Sequence, residues 1–288
     1  MAAKEPNPPS APAFPEWLPN PISVLGSVLA RKTALAFRLS LLLTASMLLL
    51  ACEEDTRIPG FPSPPLVVTE ATPHGWTYET MGVPATTTVK FSPGPATPIL
   101  GTGSVRFTTT ATHNHSFNFS RVRNTQYAGT LLSSITELSY ATFVERRDTL
   151  VDTPFFVLHA DNNGDGTADD ILNFTPWYQT AQFIVPAGIS VPEQWVSRNN
   201  TWQTWDVLHG GFFIVTDVLS DPDNNGRLIT LASYIQKYPH ATIRNVGNGR
   251  GGIRVGLGGP TFANNFIGYV DNVKIGIAGQ TTTYDFEN

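Results

Sequence analysis

Between Phe155 and Pro176 the chain reads FFVLHADNNGDGTADDILNFTP, two apolar runs around a loop of Asp, Asn and Gly. Counted from Asp161, the side-chain oxygens of Asp161, Asn163, Asp165 and Asp169 fall at positions 1, 3, 5 and 9 of a calcium loop, and Gly166 supplies the turn at position 6. Oxygens gathered in this way suit a hard cation. Position 12 is Leu172 where a helix-loop-helix calcium hand has a bidentate Glu, and the flanks read as strands. The pattern therefore predicts a β-hairpin tip with Asp161, Asn163, Asp165, Thr167, Asp169 and Asp170 as metal donors, the last a substitute ligand, and calcium as a structural ion. A polar tip whose Asn-Gly and Asp-Gly steps only supply positive φ accounts for the same residues. Crowded carboxylates repel unless screened, which tilts the reading toward an ion. A second tip, Asp221-Pro-Asp223-Asn-Asn-Gly226, is sparser.

Aromatic residues form the next group. Trp177, Tyr178, Trp195, Trp202 and Trp205 lie close in sequence, and the apolar face of a sugar ring stacks on such rings. In a strand, Trp202 and Trp205 point to opposite faces, so at most one faces solvent. Sandwich cores also consume tryptophan. A ligand surface is expected where small residues open space beside polar ones: Arg254 with Gly252 and Gly256, an outward Trp202 or Trp205, and Asn264 or Asn265.

No catalytic set emerges. Paired carboxylates on one strand, as E-x-D-x-E or E-x-D-x-x-E, are absent, as is a G-x-S-x-G elbow. His113-Asn-His115 has no third ligand nearby in sequence, and His159 and His209 read as structural. Gly247-Asn-Gly249-Arg-Gly251-Gly252 lacks the strand before, the helix after and the downstream acid of a dinucleotide site, and is better explained as a turn between strands.

The elements that must position these residues are mostly strands. Of 288 residues only 14% are charged and 41% are hydrophobic, with Gly 24 and Pro 23, a balance that favours strands and turns. The net charge of -5 and the lack of a Lys/Arg cluster beyond the N-terminal segment argue against nucleic-acid binding. Short β-branched or aromatic runs, bounded by Gly, Pro or Asn, predict strands at 86–91, 103–109, 138–144, 155–158, 171–174, 202–207, 252–257 and 268–277. In Ile253-Arg254-Val255-Gly256-Leu257 the aliphatics share one face. Leu228, Leu231, Ile235 and Tyr238 predict a helix over 228–238 that Pro239 stops, and a shorter one is placed at 131–135.

The N-terminal part differs. Residues 1–30 are proline-rich; Arg31, Lys32 and Arg38 then precede the apolar run LSLLLTASMLLLA, which ends at Cys52, the chain's one cysteine. Leu49-Leu50-Ala51-Cys52 resembles the lipobox of bacterial lipoproteins, which implies acylation at Cys52, a membrane partner through that lipid, and a periplasmic or surface-exposed place in the cell envelope. A signal anchor that stays in the membrane is the other reading. The proline-rich stretch after it reads as an extended tether.

The strings Gly101–Phe107, Ala128–Tyr140, Asp161–Asp170, Trp202–Asp206 and Gly268–Ile275 resemble secreted bacterial domains of the concanavalin A-like, laminin-G-like jelly-roll group. The resemblance implies a surface binding or adhesion module, often for carbohydrate and sometimes with calcium. It also implies first and last strands side by side, bringing Trp76-Thr77-Tyr78-Glu79 near Thr283-Tyr284-Asp285-Phe286. Asp271, in Tyr269-Val-Asp-Asn-Val273, stands where such modules often carry an Asp: a ligand, a calcium donor or a turn acid. The expectation is thus residues 1–51 as extension and signal, 52–75 as tether, and 76–288 as one all-β, antiparallel jelly-roll β-sandwich with one or two short helices. A glycan or other surface partner is its expected ligand. A polysaccharide-degrading glycosidase or lyase of the same fold, and a purely structural envelope protein, are the rival functions.

Overall fold

The computed structural model describes residues 63–81, 87–110, 118–215, 228–246, 250–259 and 265–288. In chain order the strands are β1 (Leu66–Val68), β2 (Trp76–Met81), β3 (Thr87–Pro93), β4 (Gly103–Thr110), β5 (Asn118–Asn124) and β6 (Ile135–Arg146). They continue with β7 (Phe155–Asp161), β8 (Asp170–Phe174), β9 (Trp202–Asp206), β10 (Gly211–Ile214), β11 (Ile229–Thr230) and β12 (Thr242–Ile243). The last are β13 (Asn245–Val246), β14 (Arg250–Gly251), β15 (Ile253–Gly259), β16 (Asn265–Ile277) and β17 (Gln280–Phe286). Two short helices, α1 (Ala181–Ala187) and α2 (Leu231–Lys237), interrupt them. Among the described residues no helix is long and apolar enough to cross a membrane.

Fifteen of these strands form two curled sheets that pack as a jelly-roll sandwich, and β13 and β14 pair with each other as a separate two-stranded sheet. In the second sheet the order is β11-β10-β8-β7-β15-β5-β2, with β12 also on β7. The first is built on β16. One side of β16 carries β6 and then β9; on the other side, Asn265–Val270 pairs with β4 and Val273–Ile277 with β17. Strand β3 lies beyond β4, and β1 lies parallel to β17. Alternation explains the layers. Val105, Phe107, Val270, Val273 and Ile275 face Trp76, Val122, Phe156, Leu158 and Val255 across the core, each almost wholly buried.

Several expectations need correction. The first strand among the described residues, Leu66–Val68, lies inside the stretch assigned to the tether, yet Val68 is fully buried and the strand pairs along β17 as part of the sandwich. Trp76–Met81 does not lie beside the last strand. It pairs with β5 in the opposite sheet, and its Trp76 ring meets Tyr284 and Phe286 edge-on at 5.3 Å from each. The helix expected from Leu228 begins at Leu231: Ile229 and Thr230 pair with β10, and the Thr230 and Ser233 side chains then cap the helix reciprocally. Residues 132–134 form a single 3-10 turn.

The division of β16 between β4 and β17 leaves a fork, and Asp271 fills it. Its Oδ2 accepts from the Leu100 amide at 3.0 Å and its Oδ1 from the Phe286 amide at 3.2 Å. Next to it Asn272 takes a left-handed φ of 51°, and the register against β6 moves from Asp271–Ala141 to Lys274–Ser139, one extra residue on β16. That is a β-bulge, which turns Asp271 toward the fork. Burial pushes the Asp271 carboxyl up to about 6 against the pull of these amides, and the Asp285 charge adds to the rise.

An acid whose folded pKa is raised contributes stability that is complete below its unfolded value near 4 and is lost as pH rises through about 6. In chelator, unfolding free energy is therefore expected to increase as pH is lowered from 7 to 5. Asp271→Ala should flatten this trend and, by orphaning two buried amides, destabilise the fold by about 3 kcal/mol in denaturant titrations. A slope of the opposite sign between pH 5 and 7 would contradict this role.

Candidate metal loop and ligand groove

The β7–β8 hairpin forms as the sequence indicates, with Ala160 facing Asp170. Gly164 and Gly166, at φ of 78° and 88°, turn the backbone so that amides point inward. Asp161 Oδ1 accepts from Gly164 N at 2.6 Å and Asp161 Oδ2 from Gly166 N at 3.0 Å. Asp165 Oδ1 accepts from the Thr167 hydroxyl at 2.6 Å and amide at 2.7 Å, and these bonds, with Asn163 and the charge of Arg244, hold its carboxyl below the usual range. Asp169 Oδ2 accepts from Asn162 N at 2.8 Å.

One oxygen from each of Asp161, Asp165 and Asp169 lies within 4.8 Å of the others. Calcium–oxygen distances of about 2.3–2.6 Å allow ligands on opposite sides of one ion to stand about 5 Å apart, so the three fit a common cation. Between them lies the Asn163 amide, whose Nδ2 donates to Asp165 at 3.3 Å and Asp169 at 3.1 Å. It puts positive charge density where a cation would sit. Arg244 adds to the screening from outside by donating to the Gly166 carbonyl.

Asp170 is not part of this set. It lies on the core-facing side of β8, where its Oδ2 accepts from Tyr234 Oη and Asn162 Nδ2, each at 2.7 Å, tying α2 to the hairpin. The Thr167 hydroxyl is committed to Asp165.

A groove of about 580 Å³ lies along β9, an edge strand of the first sheet. Residues 193–198 run beside that edge, held by side-chain amides. Gln194 both donates to the Asp206 carbonyl at 2.7 Å and accepts from its amide at 2.9 Å. Gln203 donates to Val196 O at 3.2 Å and accepts from Arg198 N at 2.5 Å. Arg147 fixes Ser197 O at 2.6 Å.

Trp195 stands in this groove, 77% exposed, with the Arg198 guanidinium 5.9 Å from its ring centre. Trp202 is half-buried against Phe143 at 5.6 Å and donates to the Pro95 carbonyl at 3.2 Å. Trp205 points into the core and donates to Thr142 Oγ1 at 2.8 Å, so the opposite orientation expected of the two indoles holds. Glu193 is the one carboxylate among the lining residues.

Arg254 is not at an open surface. It is 4% exposed, paired with Glu79 at 2.9 Å and bonded to His159 Nε2 at 2.8 Å. Arg121, directly opposite Glu79 on β5, shares this face; burial, with repulsion from Arg254, pushes its guanidinium down to about 9. Asp271, at the fork, is likewise fully buried. His209 is exposed and bonded to Asp206 at 2.8 Å. Cys52, Asn264, His113, His115 and the Asp221–Gly226 tip lie outside the described residues. The exposed indole, Trp195, shows in the sequence only as one of five clustered aromatics, in a stretch without alternation.

No protein-family model matches the chain, and no curated protein is detectably similar to it.

The bridging amide has a measurable consequence. In chelator, Asn163→Asp replaces two donated hydrogen bonds by a further negative charge and is expected to lower stability by about 1 kcal/mol in thermal or urea melts. An unchanged or higher melting temperature would show that the three carboxylates need no internal screening.

Proposed function

We propose that the chain is a binding or adhesion lipoprotein of the bacterial cell surface, anchored through Cys52, with carbohydrate as its ligand and calcium as a structural ion in the Asp161–Asp169 loop. The observation that carries the ligand assignment is the groove along β9, where an exposed Trp195 and the half-buried Trp202 stand among Gln194, Arg198, Thr201 and Gln203. A flat apolar ring beside amides, hydroxyls and one guanidinium offers stacking and directional hydrogen bonds together, as a sugar requires. A glycosidase needs two carboxyl groups about 5–10 Å apart across the scissile bond. Glu193 stands alone among the lining groups, which favours binding over hydrolysis. The anchor rests on the lipobox-like sequence ending at Cys52.

A glycan array probed with the full chain, in calcium and in chelator, tests the ligand. Binding is expected to fall at least tenfold in Trp195→Ala, a change of about 1.4 kcal/mol, while the melting temperature stays level because the ring is so exposed. Affinity untouched by Trp195→Ala would move the ligand elsewhere.

Calcium at a hundredfold over its Kd should add about 2.7 kcal/mol to folding, since only the folded loop gathers the donors. For a domain of this size that is a rise in Tm on the order of 5–10 °C. The rise should shrink in Asp165→Ala, and an equal rise there would place the ion outside this loop.

A further inference from the structure

The tip of the β7–β8 hairpin carries an Asn-Gly step, Asn163-Gly164, with both residues exposed. Glycine leaves the backbone amide that follows an asparagine unshielded, and a Cβ built on Gly164 would meet nothing within 4 Å. Such a step is prone to ring closure, in which the glycine nitrogen attacks the asparagine side-chain carbonyl and expels ammonia. Adjacency in the chain supplies the proximity. Two more Asn-Gly steps, Asn225-Gly226 and Asn248-Gly249, lie outside the described residues.

Around Asn163 each reacting atom has a partner. Gly164 N, the nucleophile, donates to Asp161 Oδ1 at 2.6 Å, an acceptor for the proton it must lose. Asn163 Oδ1, where negative charge builds as the carbonyl is attacked, accepts from Asp165 N at 2.8 Å. The leaving nitrogen, Nδ2, donates to Asp169 Oδ1 at 3.1 Å and to Asp165 Oδ2 at 3.3 Å. A base, an oxyanion donor and leaving-group contacts thus surround one side-chain amide, and its exposure admits water.

We propose that Asn163 is a self-modifying position, converted to a carboxylate without an enzyme, and that conversion matures the Asp161–Asp169 loop for calcium. The second half rests on the calcium reading above; the first does not. Gly164 N bonds to Asn163 Cγ as its proton passes to Asp161. The Cγ–Nδ2 bond then breaks, and Nδ2 leaves as ammonia with that proton, returned through solvent. Water adds across one of the two C–N bonds of the resulting succinimide, leaving aspartate at position 163 or its isomer linked through the side chain. Either product exchanges the amide for a carboxylate at position 3 of the loop. The amide that put positive charge density in the place of a cation is then gone, and a further negative charge faces that space. Calcium loops tune affinity by this count of charged ligands. In chelator the same conversion lowers stability, because the carboxylates lose their internal screen.

The test is peptide mapping by mass spectrometry of the full chain incubated at pH 8 and 37 °C in chelator, folded or unfolded in guanidinium chloride, with Asn225 and Asn248 read in the same maps. Asn163 is expected to convert about tenfold faster in the folded chain, and Asp161→Asn, checked for folding by circular dichroism, should remove that advantage. Conversion no faster folded than unfolded, or as fast in folded Asp161→Asn, would overturn the site. The wild-type comparison decides the matter even where Asp161→Asn fails to fold. Isothermal calorimetry reads the calcium half: Asn163→Asp is expected to bind calcium at least tenfold more tightly than fresh wild type shown by mass to be unconverted. Equal or weaker binding would overturn the maturation of the loop. No binding by either form would overturn the ion and its maturation together, and the mass result then judges the conversion alone.

Discussion

One strand has to serve two partners on the same side, and much of the first sheet follows from that. Along Asn265–Ile277 the ladder passes from β4 to β17, and where the two diverge, backbone amides lose strand partners. A buried amide without an acceptor costs on the order of 1–3 kcal/mol. Asp271 meets this by accepting from Leu100 and Phe286 together, and the bulge at Asn272 gives it the direction to do so. The β3–β4 loop is thereby held across the outer face of the sheet. Its Pro95 carbonyl receives the Trp202 indole, so the fork and the groove share one loop.

Much of the fold was legible because its strands alternate. β3, β4, β6, β7, β8, β9, β15 and β16 each carry an apolar face or run that shows in the sequence. β5 does not: its core-facing positions include Ser120 and Asn124, buried but polar, so the period is masked. β1 was hidden in proline-rich surroundings, and its place depends on β17, more than two hundred residues away, which no local pattern reports. The start of α2 was misplaced for the same reason, since Ile229 answers to β10 rather than to helical spacing.

The candidate sites divide along similar lines. The acid spacing of the hairpin is a local property, and the structure brings one oxygen each of Asp161, Asp165 and Asp169 near one another. Asp170 could have been separated from them, because it shares a face with Leu172 and Phe174, which alternation sends to the core. Arg254 shows the limit of that rule. It does lie opposite Ile253, Val255 and Leu257, but alternation tells which face a residue takes and not whether that face is covered. Its pairing with Glu79 and His159 joins three strands and is invisible in one dimension.

Trp195 was the hardest to place, and the reason is physical. An edge strand exposes unpaired amides and carbonyls that invite pairing with another chain. Here residues 193–198 guard the edge at β9, yet the guard is not a strand: Gln194 and Gln203 supply from side chains the hydrogen bonds that a ladder would have supplied from the backbone. Side-chain amides hold the segment at arm's length, and the gap they leave is the groove. A stretch freed from ladder pairing has no period to read, and it is also free to turn an indole outward. The same device that closes the sheet edge against its neighbours therefore leaves the groove open, which is why the most exposed aromatic ring among the described residues sits where the sequence pattern is weakest.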